Sequence, residues 1–261
     1  MSTICDRYGP WALVAGASEG IGAAFAAELA AAGFGLVLVA RRPEPLEALA
    51  RELRTRTAAP IDTLALDLAA DDLESQLRDV LRTRDIGLLV YNAALSIVAP
   101  FLDTSLADKQ RMLDVNARGP LIAAHVCGEH FAARGRGGIV LLSSLTAFWG
   151  SAWVATYGAT KAFNLGLGEA LALELAEHGV DVVVSCVGAT RTPGFVSLMA
   201  GRKAPRSMSP ADVARETLAA LPKRGAFIPG RWNRLAQQLL VRVLPRRAAV
   251  EIMASQTKPL L

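Results

Sequence analysis

Cysteine, histidine and aromatic residues are scarce in this chain, and no long apolar run is uninterrupted. The three cysteines, Cys5, Cys127 and Cys186, are odd in number, far apart and without metal-ligand spacing. They suggest neither a disulfide framework nor a zinc site, so no metal and a reducing, cytoplasmic compartment are expected. Of the three histidines, His125 and His130 sit on a long helical stretch and His178 precedes a glycine at a helix end, positions that fit structural roles. No G-x-S-x-G elbow is present, which leaves Ser-His-Asp hydrolysis without support. Arg or Glu breaks every long apolar stretch, and the first seven residues read as neither signal peptide nor anchor, so no transmembrane segment is expected. No linker or repeat divides the chain.

What is present suits one large core. With 261 residues, 52% hydrophobic and 20% charged, the chain can form a single α/β domain. Short β-rich runs at 11–15, 36–40, 61–66, 87–91, 139–142, 180–186 and 226–228 alternate with helical segments. This is the pattern of a doubly wound parallel sheet, a Rossmann fold, whose strands are nearly continuous apolar runs because both faces are covered. Ligands in such a fold gather at the carboxyl ends of the strands.

Two motifs carry chemistry. Tyr157 and Lys161 are four residues apart, so on a helix they share a face and the ammonium lies near the phenol. A phenol titrates near ~10 when unperturbed, and a neighbouring cation favours phenolate, bringing the group toward a pH where it both donates and accepts a proton. At the other end of the chain, Gly16, Ser18, Glu19, Gly20, Ile21 and Gly22 follow an apolar run and open an alanine-rich helical stretch. Strand, glycine turn and helix N-terminus together make a site for a pyrophosphate.

The glycine spacing is G-x-x-x-G-x-G rather than G-x-G-x-x-G. With Y-x-x-x-K about two thirds along, the chain resembles the short-chain dehydrogenase/reductase family over residues 11–192. The resemblance implies a catalytic tetrad of Asn116, Ser144, Tyr157 and Lys161. Ser143 is the neighbouring alternative, but the thirteen residues from Ser144 to Tyr157 match the family interval. In this reading the Ser144 and Tyr157 hydroxyls hold the substrate oxygen as charge builds on it, and Tyr157 donates the proton. Lys161 lowers the phenol pKa and holds the nicotinamide ribose, and Asn116 holds a water that links the lysine to solvent.

The cofactor bed follows by the same resemblance. Ala40 stands where NAD-preferring relatives carry Asp, and Arg41 and Arg42 follow it, so NADP(H) is favoured over NAD(H), although Glu19 opposes a phosphate. Asp67, with Leu68 beside it, matches the carboxylate near the adenine. Asn92, Ala93 and Ala94 match the N-N-A-G segment, with Tyr91 and Ala94 in place of Asn and Gly. Gly188, Thr190 and Thr192 match the P-G-x-x-x-T segment that frames the nicotinamide, with Val187 in place of its proline.

Residues 193–210 occupy the place of a substrate lid. Phe195, Leu198 and Met199 imply a hydrophobic ketone or alcohol, and Arg202, Lys203 and Arg206 fit a solvated edge ahead of the alternative, contact with a phosphopantetheine or acyl-CoA phosphate. Residues 1–230 are assigned to the NADP-binding catalytic domain and 231–261 to its C-terminal helical extension. There Leu235, Leu239, Leu240, Val243 and Leu244 form an apolar set among arginines, which contributes to the net charge of +4. Packing within the protein is expected for 231–254, with membrane contact the lesser reading. Small residues on the Tyr157 helix, with the family's four-helix interface, imply a homodimer or homotetramer. The pI near 9.2 admits nucleic acid, but the cations are dispersed and no nucleic-acid motif appears. The alternatives to a carbonyl reductase are a catalytically silent NADP-binding regulator, which has no need of an intact tetrad, and an enoyl reductase, whose Tyr to Lys gap is wider.

Overall fold

Residues 3–199, 206–242 and 244–258 are described by a computed structural model. Arg202 and Lys203 of the expected lid and Val243 of the expected apolar set lie outside the described residues. Every apolar run anticipated above is a strand: β1 Trp11–Ala15, β2 Gly35–Ala40, β3 Ile61–Ala65, β4 Ile86–Tyr91, β5 Gly137–Ser144, β6 Val180–Val187 and β7 Gly225–Phe227. Among the described residues they form one parallel sheet in the order β3-β2-β1-β4-β5-β6-β7. All residues of β2, β4, β5 and β6 are buried, which accounts for runs that are apolar without alternation.

The helices cover both faces. They are α1 Ile4–Tyr8, α2 Gly20–Ala31, α3 Pro43–Arg54, α4 Leu73–Thr83, α5 Leu106–Leu113, α6 Gly119–Arg134, α7 Ala155–Glu174, α8 Pro193–Leu198, α9 Pro210–Ala220, α10 Arg231–Arg242 and α11 Arg246–Thr257. On one face Phe25 and Leu29 of α2, Leu46 and Leu53 of α3, and Val213 and Leu218 of α9 build a core. On the other, Leu73 and Leu77 of α4, Val126 and Phe131 of α6, and Ala172 of α7 do the same. The strand order reverses between β1 and β4, and in such sheets a crevice opens at the carboxyl ends beside that reversal.

Two features at the periphery were not anticipated. The short α1 begins with a reciprocal cap between Thr3 and Asp6, and it is tied to the sheet through a buried carboxylate. Asp181, near the start of β6, accepts from Arg7 Nη2, Tyr8 Oη and Arg224 Nε, each at 2.5 Å. The C-terminal α10 turns its polar residues inward: Asn233 donates to the Pro229 carbonyl and Arg234 to that of Ile228, both at 2.9 Å. Leu235 and Leu239 are exposed, as is Trp232, so these apolar residues of 231–254 do not pack on the body as expected. Gly230, just before α10, has φ +82°, a left-handed backbone that glycine adopts freely.

Candidate active site

The glycine loop has the geometry its spacing demands. Gly16 has φ +79°, and a side chain there would meet the Cα of Ala93 at 2.6 Å. At Gly22 a Cβ would fall 1.9 Å from the Gly16 carbonyl oxygen, so the first turn of α2 rests directly on the loop. Glu19 precedes α2 without a side-chain cap, which leaves the helix N-terminus open to an anion.

In front of the loop lies a cavity of about 410 Å³. Gly16, Ser18, Glu19, Gly20, Ile21, Arg41, Arg42, Asp67, Leu68, Asn92, Ala93, Ala94 and Thr192 all line it. Gly22 supports the loop from behind rather than lining the wall, and Gly188, Thr190, Tyr157 and Lys161 lie off the wall as well. The sequence reading missed Arg111, Val115 and Leu95, which close the side toward α5. Size, glycine cradle and open helix end fit a dinucleotide.

Electrostatics along the wall are organised in pairs. Glu19 meets Arg42 at 3.3 Å. Arg111 Nη2 reaches both oxygens of Asp67, at 2.9 and 2.6 Å, and the Ala69 N–H adds a third bond at 3.0 Å. Burial pushes the Asp67 carboxyl up, but Arg111, the Ala69 amide and nearby Arg41 outweigh it and hold the group below the usual carboxylate range.

The four tetrad residues come together at the end of β5 and the start of α7. Ser144 closes β5, and its Oγ accepts the Thr146 N–H at 3.2 Å. Asn116 lies in a π-helical turn, Asp114–Arg118, fully buried. Its Oδ1 accepts from Leu95 N at 2.7 Å, while Nδ2 donates to Leu95 O at 2.8 Å and to Thr160 Oγ1 at 3.2 Å. Thr160 Oγ1 in turn donates to the Tyr157 carbonyl at 2.7 Å. The side chain of Asn116 therefore clamps the loop after β4 to the helix that carries the tyrosine.

Lys161 is buried, with Nζ 5.6 Å from the centre of the Tyr157 ring. The ammonium donates to the Leu142 carbonyl at 2.8 Å, and burial pulls its pKa down to about 8. The net lowering of the phenol expected beside this cation is not found, because burial outweighs it. Desolvation pushes the Tyr157 phenol up, opposed by a hydrogen bond with the Ser144 side chain. Ser143 has the structural part foreseen for it, donating from Oγ to the Lys161 carbonyl at 2.7 Å.

A model of the short chain dehydrogenases matches residues 10–203. The chain belongs to this family. This short-chain dehydrogenase is 33% identical over 232 residues to a 7β-hydroxysteroid dehydrogenase of Clostridium sardiniense, covering 88% of each chain. It superposes on a solved structure from work on the stereoselectivity of 7β-hydroxysteroid dehydrogenase with a TM-score of 0.90 and 30% identity, covering 96% of this chain and 99% of that one. A short-chain dehydrogenase from Sphingobium yanoikuyae, solved in complex with NADPH, gives a TM-score of 0.78 at 31% identity, covering 91% of this chain and 97% of the other. The protein is an oxidoreductase of this type.

Its departures from the family pattern have structural content. Tyr91, in place of Asn, donates from its hydroxyl to the Val115 carbonyl at 2.8 Å and so fastens β4 to the π turn of Asn116. A side chain at Gly119 would collide with that hydroxyl at 2.1 Å, so the glycine there makes room for the tyrosine. Around Gly188, α10 supplies Asn233, which a Cβ at the glycine would meet at 2.8 Å. Asn233 therefore lies directly against the backbone at Gly188. Thr190 Oγ1 donates to the Gly188 carbonyl at 3.0 Å, and Thr192 caps α8.

Substrate-side residues are less gathered. A small recess beside Tyr157 is lined by Ile97, Ala99, Phe101, Met112, Trp153 and others, and Lys109 stands on its wall. Phe195, Leu198 and Met199 reach neither this recess nor the larger cavity, although Pro193 and Gly194 of α8 line the latter. Among the described residues no helix is long and apolar enough to cross a membrane.

Proposed function

We propose that this dehydrogenase interconverts a carbonyl and a secondary alcohol on a bulky apolar substrate, with NADP(H) as its cofactor and Tyr157 as the general acid and base. The observation that carries the reading is the grouping of Tyr157, Ser144 and Lys161 at the carboxyl end of β5 within a fold whose glycine cradle fits a dinucleotide. A nicotinamide cofactor, when bound, supplies or takes up the hydride. Gly16, Gly20 and the open end of α2 would hold its pyrophosphate, Arg41 a 2′-phosphate and Asp67 the adenine.

The chain's own part is proton control. With the phenol pushed up by desolvation, Tyr157 stays protonated at neutral pH and is ready to donate to a carbonyl oxygen. Ser144 hydrogen-bonds the phenol and offers its hydroxyl to the same developing charge. Once the proton leaves, the Lys161 ammonium 5.6 Å from the ring stabilises the phenolate. Asn116 fixes the start of α7, so the phenol needs no reorientation during the step.

The resemblance to a 7β-hydroxysteroid dehydrogenase favours a ketone of steroid size. Exposed Leu113 of α5, Leu121 of α6, and Phe163 and Leu173 of α7 favour a second copy packed on those helices, which light scattering tests directly. The activity is tested by following reduced-nicotinamide absorbance with NADPH and NADH across steroid ketones, other bulky ketones and 3-oxoacyl thioesters. Turnover of a bulky ketone with NADPH supports the reading. Tight NADPH binding with no turnover on any carbonyl would favour the silent regulator.

A further inference from the structure

We propose that Arg111 is a positioning residue for cofactor choice: from α5 it fixes the Asp67 carboxylate so that this dehydrogenase selects a purine bearing an amino group over one bearing an oxo group. The inference rests on the proposed nicotinamide dinucleotide reading and concerns the far end of that ligand.

Three observations bear on it. Arg111 and Asp67 face one another on the wall of the 410 Å³ cavity, and each keeps over a third of its side chain accessible, at 37% and 38%. An ion pair this open contributes little to stability, so holding the fold is a poor account of it. The loop after β3 is also secured without it, because Arg118 at the end of the π turn donates to the carbonyls of Ala69 and Ala70, at 2.5 and 3.1 Å. What Arg111 adds is orientation of one carboxylate.

The hydrogen bonds are distributed unevenly between its oxygens. Oδ1 accepts from Ala69 N at 3.0 Å and from Arg111 at 2.9 Å, while Oδ2 accepts from Arg111 alone at 2.6 Å. Oδ2 therefore keeps acceptor capacity for a donor in the cavity. A fixed, ionised carboxylate accepts from the exocyclic amine of adenine and repels the carbonyl that hypoxanthine presents in its place. Released from Arg111, the same carboxylate keeps only the Ala69 amide, so it can turn about its own side-chain bonds and lose this discrimination.

The test measures Kd and steady-state constants with NADPH, NADH and the hypoxanthine counterpart of each. The wild type is expected to favour the adenine form. Arg111→Met should raise the KM for the adenine cofactor about tenfold, roughly the worth of one charge-assisted hydrogen bond, with kcat nearly unchanged and the purine preference largely lost. Arg111→Lys should restore part of the preference, and it carries the same readout should the Met variant fold poorly. Asp67→Asn, which places a donor in the carboxylate's position, should shift preference toward hypoxanthine. If Asp67→Asn alters purine choice while Arg111→Met leaves it at the wild-type value, the positioning role is wrong and the cofactor reading stands. If the wild type binds none of the four dinucleotides, both readings fall together.

Discussion

Glu19 and Arg42 pair at 3.3 Å on the wall of the 410 Å³ cavity. The carboxylate that the sequence set against a 2′-phosphate is thus already engaged by a cation. Arg41, its neighbour on the same wall, has no ion pair among the described residues. Arg41→Ala is expected to raise the KM for NADPH by about tenfold or more while changing that for NADH far less. Equal losses with both cofactors would reject a phosphate contact at this residue.

Tyr157→Phe removes the proton donor and leaves the ring in place. Turnover should fall by about 10²- to 10⁴-fold, the range of a lost general acid, while NADPH affinity measured by fluorescence stays within about twofold. A variant that keeps near-normal kcat would exclude Tyr157 as the acid.

The burial of Lys161 sets a pH dependence. Below about 8 the side chain is an ammonium and above it a neutral amine, while Tyr157 keeps its proton to higher pH. In the proposed reaction, carbonyl reduction needs both the phenol proton and the cation, so kcat/KM for reduction should fall as pH rises through about 8. Lys161→Met should lower the plateau and abolish this limb. Persistence of the limb in that variant would assign it to another group.

Tyr91→Phe deletes the hydroxyl that serves the Val115 carbonyl. The orphaned acceptor should cost about 1–3 kcal/mol of stability, read as a lower denaturation midpoint. Because Val115 adjoins Asn116 in the π turn, kcat should decline as well, with cofactor KM little changed. An unaltered midpoint would mean that the hydroxyl bond does not hold the turn.

Much of this arrangement was legible from sequence for definite reasons. A parallel sheet covered on both faces writes each strand as a continuous apolar run, so all seven were readable from hydrophobicity alone. The glycine loop and the grouping of Asn116, Ser144, Tyr157 and Lys161 were readable because their spacings resemble those of the family. Contacts such as Arg111 with Asp67, or Tyr91 with Val115, join residues distant in the chain and leave no local pattern. The five residues of α1 are too few for periodicity, and only Thr3 and Asp6, three apart, signalled the helix. In α10 the spacing disclosed a stripe of Leu235 and Leu239 but not which side of the helix would be covered, since the contacts of Asn233 and Arg234 with the Pro229 and Ile228 carbonyls leave no apolar pattern.

Asp181 gives the molecule a rear attachment. Arg7 and Tyr8 from the start of the chain and Arg224 from the approach to β7 converge on this one carboxylate, near the amino end of β6. Ser144, Tyr157 and the glycine cradle all lie at the opposite, carboxyl end of the strands. A tether or support joined through the N-terminal segment would therefore load the sheet from behind, with the length of a strand between the point of pull and the reacting groups. Force applied there would enter the sheet at the end away from Ser144 and Tyr157.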